Sequence, residues 1–483
     1  MGDQLRVRFA PSPTGFLHVG GLRTALFNYL FARHNGGKFV LRIEDTDQTR
    51  KVEGAVENLI STLEWAGIHY DEGPHREGAH GPYIQSERLE LYRQHARQLI
   101  DRGNAYRCFC TPERLEEARK RQLAAKLSPA YDRHCRGLPP AEVDRRVARG
   151  ESHVVRMKVP TEGEMTFCDL IRGDVTIPYS VLDDQVILKS DGFPTYHLAV
   201  VVDDHLMEIT HIIRGEEWLP SVPKHILLYQ YFDWDVPKLA HLPLLLNPDK
   251  SKLSKRQGDV AVEDYRARGY LKEAIVNFVA FLGWNPGDER EIFSLDELVK
   301  EFSLERVGKS GAIFNVDKLD WMNFEHLRKK PEMEVLAMSK ESLAQMGIDA
   351  KRFEDVYLLT VIRTMRDRVT FVSDFVEKSP YFFRPPTEYD PAVVKKRWKQ
   401  ESPDQMRKLA EEFSRLQQPR KEEYEAVLHR VAEKLNIHHA DLIHAVRLAV
   451  SGVGAGPGLF DIVFILGKDE TIRRINAAIT TLK

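Results

Sequence analysis

Apolar positions along the 483-residue chain follow two periods, and the places where the period changes outline its organisation. Leu5, Val7 and Phe9 alternate with Arg6 and Arg8, the period of a strand, and Leu22, Ala25, Leu26, Tyr29 and Leu30 then follow at the spacing of one helix face. A β-α-β start over residues 4–47 is completed by a helix predicted over 56–66, with Leu59, Ile60, Leu63 and Trp65. Further on come a charged helix over 87–101, turn-separated strands around 154–159 and a strand at 186–189. The β-branched run Ile209–Ile213 ends at Arg214, and an apolar stretch, His241–Leu246, precedes an amphipathic helix over 271–281. After Trp321 the strand signals stop, apart from a loop at 379–386, and Leu358, Val361, Ile362 and Met365 show helix-bundle spacing. The predicted architecture is α/β: a Rossmann-like nucleotide-binding domain interrupted by an insertion, then an all-α C-terminal part. The divisions fall at 1–82 and 190–232 for the two halves of the nucleotide fold, 83–189 for the insertion, 233–325 for a following domain, and 326–390 and 391–483 for two helical subdomains.

Composition bounds the function without choosing it. With 42% hydrophobic residues the chain can bury several cores. No apolar run reaches membrane-spanning length and the N-terminus lacks a signal-peptide pattern, so no membrane partner and a cytoplasmic location are expected. A net charge of −2 means that any nucleic-acid surface must be a local patch. Four cysteines argue against a disulfide framework. Cys108-Phe-Cys110 and Cys135 offer three soft metal ligands that need a fourth, while Cys168 stands alone. His134 is awkwardly adjacent to Cys135, and three buried cysteines without a metal are the alternative.

Two short motifs carry the chemistry. Pro11-Ser-Pro-Thr-Gly-Phe-Leu-His-Val-Gly-Gly21 is a strand-loop-helix turn whose glycines at 15, 20 and 21 let backbone approach a bound group, and whose helix-opening N–H groups favour phosphate. Lys252-Leu-Ser-Lys-Arg256 supplies cations that neutralise charge on phosphate oxygens as an α-phosphate is attacked and pyrophosphate leaves. Alone, the first could be a ligand-free turn and the second a solvated basic loop. Together and in this order they resemble the two signatures of class I aminoacyl-tRNA synthetases. The fuller strings Arg8-Phe-Ala-Pro-Ser-Pro-Thr-Gly15 and Arg42-Ile-Glu-Asp-Thr-Asp47 narrow the resemblance to glutamyl-tRNA synthetases of the bacterial type. One departure is Gly21, where the first signature usually ends in a second histidine; the glutamyl branch commonly lacks it, and His18 remains to contact the triphosphate.

The resemblance implies ATP, with Mg²⁺, held by Pro11, Gly15, His18, Gly20, Gly21, Lys252, Ser254, Lys255 and Arg256, with His18, Lys252 and Lys255 as the catalytic set and Lys255 contributing most. Telling glutamate from glutamine requires cations at the side-chain carboxylate. Arg8 ends the first strand and Arg214 the β-branched run, so both could point into one crevice at the carboxyl edge of a parallel sheet. Charge-assisted hydrogen bonds there, roughly twice as strong as neutral ones, favour carboxylate over amide. The family places matching arginines on that carboxylate, assisted by the tyrosine matching Tyr196, and the acid matching Glu44 on the ammonium; Ser12 is a further contact. Each also has an ordinary use: an edge-strand charge in Arg8, an acidic-cluster member in Glu44, a partner for Glu216 or Glu217 in Arg214, a packed aromatic in Tyr196. Pro194-Thr-Tyr-His197, Val202-Asp-Asp-His205 and Ile213-Arg-Gly-Glu-Glu-Trp218 extend the resemblance.

The same resemblance implies structural Zn²⁺ on Cys108, Cys110 and Cys135 with Tyr131 as fourth ligand, although some members have lost the metal. It gives the insertion a grip on the acceptor end of tRNA, for which Arg119, Lys120, Arg121, Arg133 and Arg136 are local basic candidates and a solvated face the alternative. Residues 233–325 become a stem-contact domain and the two helical subdomains bind the anticodon. There Arg368 and Arg447 match positions that read bases, and arginine at 368 accompanies recognition restricted to glutamate tRNA; the run Lys395–Lys399 reads as a solvated helix face. The implied activity is a two-step ligation, glutamyl-adenylate formation and then transfer to the terminal ribose of tRNA(Glu), by a monomer whose first step needs bound tRNA. The rival readings are an enzyme that also charges glutamine tRNA and a noncatalytic tRNA-binding relative. A glutaminyl enzyme with a β-barrel C-terminal half and a shorter glutamyl transferase acting on a tRNA base fit less well.

Overall fold

The first strand, β1 (Arg6–Phe9), is buried along its whole length, so its alternation does not separate core from water. Val7 and Phe9 pack, while Arg6 and Arg8 are neutralised in place, because a buried charge must be paired. Arg6 donates to both Glu72 oxygens at 2.7 and 2.9 Å, and Arg8 donates to Asp204 at 3.0 Å. The computed structural model describes residues 4–253 and 261–482. Its frame falls into two compact units, Met1–Arg268 with Lys272–Leu319, and Gly269–Leu271 with Asp320–Lys483.

In the first unit, α1 (Val19–His34) connects β1 to β2 (Lys38–Leu41), which run parallel with Arg8 opposite Val40. The predicted second helix is observed as α2 (Ala55–Trp65), and the charged one as α3 (Leu89–Asp101) after a 3₁₀ turn. The insertion then contributes β3 (Ala105–Cys108), α4 (Pro112–Ala124), α5 (Pro140–Ala148), β4 (Val154–Met157), a hairpin of β5 (Glu164–Asp169) and β6 (Gly173–Pro178), and β7 (Val186–Leu188). β7 pairs antiparallel with β4, which pairs with β3, so the strand at 186–188 closes the insertion's own sheet before the chain returns to the nucleotide fold. The hairpin was not foreseen, although Met165, Phe167 and Asp169 are buried in strict alternation.

The chain re-enters through α6 (Tyr196–Leu206), β8 (His211–Gly215), α7 (Val222–Phe232) and β9 (Lys238–Leu242). β8 and β9 are parallel, and β5 joins β9 where Asp169 meets Leu239. Just ahead of β8, Thr210 ties it to β1 by exchanging hydrogen bonds with the backbone N–H and C=O of Arg6. The carboxyl ends of β1, β2 and β8 therefore open together, as ligand sites in parallel α/β sheets require. In the second unit every regular element among the described residues is helical. Leu358, Val361, Ile362 and Met365 are buried as their spacing predicts, and the loop at 379–386 turns Tyr381 and Phe382 inward.

Asp203 ties α6 to the segment that leads into α3: it accepts from Arg88 at 2.7 Å, Tyr92 at 2.8 Å and Gln85 at 2.9 Å, with Arg42, just after β2, at 3.7 Å. Removing this carboxylate leaves the buried Arg88 guanidinium without its acid. Asp203→Ala should cost about 3 to 5 kcal/mol in urea unfolding followed by tryptophan fluorescence, and a change within 0.5 kcal/mol on that scale would show the pairing to be dispensable.

Candidate active site

The turn between β1 and α1 is built around His18. Its Nδ1 accepts the N–H of Gly21 at 3.0 Å and caps the helix. With Nδ1 accepting, the proton of the neutral ring sits on Nε2, a donor suited to an anionic oxygen. Gly15 adopts a positive φ of 152°. A Cβ on Gly21 would come within 2.7 Å of Leu17, so a second histidine here would require Leu17 to move. The first turn of α1 carries no acid to oppose a phosphate.

That turn forms one wall of a cleft of about 1020 Å³. Pro11, Ser12, Gly15, His18, Gly20, Gly21 and Lys252 line it together with Arg8, Glu44, Tyr196 and Arg214, so the structure brings the described nucleotide and amino-acid candidates into a single space. Lys252 is exposed and bridges to Leu246. Ser254, Lys255 and Arg256, the rest of the second motif, lie outside the described residues.

The acidic and basic candidates interlock. Arg42, fully buried, donates to Asp204 at 2.7 Å and to Glu44 at 3.1 Å, and Asp204 also takes Arg8. The backbone N–H of Glu44 binds the carbonyl of Pro11 at 3.0 Å, which fixes the carboxyl beside the first motif. Burial pushes the Glu44 carboxyl up to about 7, outweighing the opposing fields of Arg42 and Arg8. Asp204 goes the other way: Arg8 and Arg42 overcome its burial and hold it below the usual carboxylate range. Arg214 does not pair with Glu216 or Glu217; its partners are Tyr196 Oη at 3.0 Å, His241 at 3.1 Å and His225 at 3.3 Å. Tyr196 packs against Trp218, with ring centres 4.2 Å apart and planes tilted by 34°. Sequence reasoning missed Arg42, Asp204, Trp218, His225 and His241 as parts of this site, although the first three stand in strings it had singled out.

The cysteine knuckle is a second cluster. The sulfurs of Cys108, Cys110 and Cys135 all lie within 4.8 Å of one another, Cys110 and Cys135 at 3.5 Å, where a tetrahedral ion with bonds of about 2.3 Å to sulfur sets its ligands about 3.8 Å apart. Tyr131 Oη sits 3.2 Å from Cys108 and 3.5 Å from Cys110, whereas His134 is exposed. Three thiols and a phenol thus form a four-donor set. Of the basic residues in the insertion, Arg119, Lys120 and Arg121 are exposed on α4, but Arg133 and Arg136 are drawn onto the buried Asp184. In the second unit Arg368 is exposed and Arg447 donates to the carbonyl of Pro457 at 2.7 Å. Both lie near Tyr381, whose hydroxyl is pushed up to about 12 by burial against their opposing charge.

Residues 4–321 match the family model described as tRNA synthetases class I (E and Q), catalytic domain, and residues 333–479 match an anticodon binding domain. A glutamate–tRNA ligase of Chloroherpeton thalassium is 52% identical over 498 residues, covering 100% of this chain and 99% of its own, and one of Chlorobaculum parvum is 53% identical over 98% and 97%. The chain belongs to the glutamyl-tRNA synthetase family. Among solved structures, a glutamate tRNA ligase of Elizabethkingia meningosepticum in complex with its amino acid superposes with a TM-score of 0.95 at 42% identity, each chain covered in full. The glutamate-tRNA synthetase of Elizabethkingia anophelis gives 0.92 at 41%, over 99% of this chain and 100% of that one. Family membership fixes the architecture as a class I synthetase catalytic domain followed by a helical anticodon-binding part. None of the described helices is long and apolar enough to cross a membrane.

In this synthetase fold the raised Glu44 carboxyl has a measurable signature. Below about pH 4.5 the folded and unfolded states are both protonated and burial costs nothing; above about 7 both are ionised and the folded state bears the full cost. The native protein binds the extra proton in between, so stability falls as pH rises through that window. Between pH 4.5 and 8 the wild type should lose about 3 kcal/mol relative to Glu44→Gln, read from chemical denaturation at both pH values. Parallel profiles for the two proteins would contradict the raised carboxyl.

Proposed function

We propose that this protein attaches L-glutamate to tRNA(Glu) in two steps. The observation that supports it most directly is the continuity of the cleft, in which the phosphate-type turn and a carboxylate-type pocket share one space. ATP, entering as its Mg²⁺ complex, lies along the N-terminus of α1, with His18 and Lys252 of the described residues on its phosphates; Lys255 and Arg256 belong to the same loop by sequence. Glutamate lies across the strand ends: Arg8, Arg214 and Tyr196 on its side-chain carboxylate, Glu44 on its ammonium, Ser12 beside it. Its α-carboxylate attacks the α-phosphorus, pyrophosphate leaves, and the cations stabilise the charge gathered on the phosphates. The 2′-hydroxyl of the terminal ribose then attacks the activated carbonyl and AMP leaves. No protein nucleophile is needed, since positioning and electrostatics carry the step.

Zinc on Cys108, Cys110, Cys135 and Tyr131 would tie the end of β3 to the turn after α4 and stiffen the insertion that meets the acceptor end of tRNA. The exposed cations of α4 suit that contact better than Arg133 and Arg136, which Asp184 already holds. Arg368 and Arg447 face the anticodon, with the arginine at 368 supporting a restricted preference for glutamate tRNA.

The deciding experiment is ATP- and Mg²⁺-dependent charging of purified glutamate and glutamine tRNAs, in parallel, with labelled glutamate and with labelled glutamine as control. Glutamate on tRNA(Glu) alone is the expected result. Glutamate on both tRNAs would overturn the restricted reading of Arg368, and no charging by a folded sample would leave a noncatalytic tRNA-binding relative. Elemental analysis should find about one zinc per chain, lost in Cys110→Ser; a metal-free wild type with all four thiols reactive would dismiss the metal.

A further inference from the structure

Arg8 and Arg42 share the carboxylate of Asp204, but the partners of Arg214 among the described residues are two imidazoles and a phenol, none of them an acid. A guanidinium carries five N–H groups and no lone pair, so each imidazole nitrogen facing it must accept. The tautomers follow from that. His241 accepts from Arg214 Nε at Nε2 and so carries its proton on Nδ1, which lies 2.6 Å from Asp169 Oδ2. His225 accepts at Nδ1 and carries its proton on Nε2, 3.0 Å from Nδ1 of His197, whose own proton is then on Nε2. All three rings are neutral: burial drives His225 well below the ordinary histidine value, His197 down to about 4, and His241 down despite Asp169. Asp169 is itself fixed at the end of β5, where its Oδ1 accepts the backbone N–H groups of Ile171 at 3.0 Å and Arg172 at 2.9 Å.

We propose that Asp169, His241, His225 and His197 are positioning residues for amino-acid specificity: a line of neutral imidazoles that, with Tyr196, holds the Arg214 guanidinium by three N–H groups while leaving its charge uncancelled for the substrate's side-chain carboxylate. Two N–H groups remain to be given to that carboxylate. A carboxylate in the place of either imidazole would orient the guanidinium equally well but would neutralise it, and the advantage of glutamate over glutamine would shrink. The inference rests on the reading of the cleft as the glutamate site.

Asp169→Asn tests it. The two backbone N–H groups keep the amide oxygen at the Oδ1 position, so the amide NH₂ faces His241 Nδ1 and makes it an acceptor. The ring proton moves to Nε2, where it opposes the N–H of Arg214, the same tautomer error that cripples a catalytic triad when its aspartate becomes asparagine. The KM for glutamate in tRNA charging should rise about 10- to 100-fold with the KM for ATP unchanged, and the ratio of glutamate to glutamine use should fall with it. Lost stability alone would reduce the active fraction, hence apparent kcat, and leave both KM values in place. His225→Leu provides a second arm should Asp169→Asn not fold, because it removes the acceptor that holds Arg214 Nη2, with the same rise expected. An unchanged glutamate KM in these variants, alongside a raised one in Arg214→Gln, overturns the positioning role alone. An unchanged value in Arg214→Gln as well overturns the glutamate site itself.

Discussion

The structure turns on the pairing of Arg42 with Asp203, Asp204 and Glu44 inside the first unit. A guanidinium with no solvent exposure needs its charge met on the spot, since an unpaired buried ion costs several kcal/mol, a large part of a domain's net stability. Its partners are Glu44, two residues further along, and two carboxylates of α6, about 160 residues away, so the pairing joins α6 to the end of β2 across the insertion. Arg8 and Glu44 are members of the same cluster. These two residues of the cleft wall are thus locked by the interactions that hold the two halves of the fold together, and the cleft inherits its rigidity from the core.

The charge balance of the cluster hangs on Glu44. Four guanidiniums, Arg8, Arg42, Arg88 and Arg214, stand against four buried carboxylates, Glu44, Asp203, Asp204 and Asp169, the last reaching Arg214 only through His241, so one positive charge is left over when Glu44 takes up its proton near 7. An apolar or neutral ligand would leave that surplus buried. A ligand of the class proposed above, with an ammonium to favour ionised Glu44 and a second carboxylate to meet the arginines, would offset it.

Much of this was legible in the sequence, and what was not shares one cause. The glycine turn, the helix faces and the cysteine knuckle are local patterns, and their residues stand where those patterns put them. The partners of each charge are long-range. The alternation Arg6, Arg8 reads as an edge strand until Glu72 and Asp204 are seen to meet it, across 66 and 196 residues. His241 lies 27 residues from Arg214 and 72 from Asp169, in strings with no signature of their own. The hairpin of β5 and β6 is a different failure: its alternation was present, but its outer face carries Thr166 and Thr176, which bind each other at 2.8 Å, and a polar face next to turns reads as a loop. For Arg133 and Arg136 a basic stretch suggested an RNA surface, when the buried Asp184 had already claimed both.

The two clusters of the first unit use one device. In the cleft the hydroxyl of Tyr196 accepts from Arg214, and in the knuckle the guanidinium of Arg156 lies 3.7 Å over the ring of Tyr131. The first contact is a hydrogen bond to the phenol oxygen, the second a cation–π contact with the ring face. Tyr131 Oη is also anchored before any ion arrives, because the backbone N–H of Cys135 donates to it at 3.1 Å. That bond sets Tyr131, and not His134, beside the three thiols. The backbone that brings the third thiol inward holds the phenol oxygen beside it and leaves the neighbouring imidazole exposed, so the chain direction at Cys135 decides which of the two side chains joins the cluster.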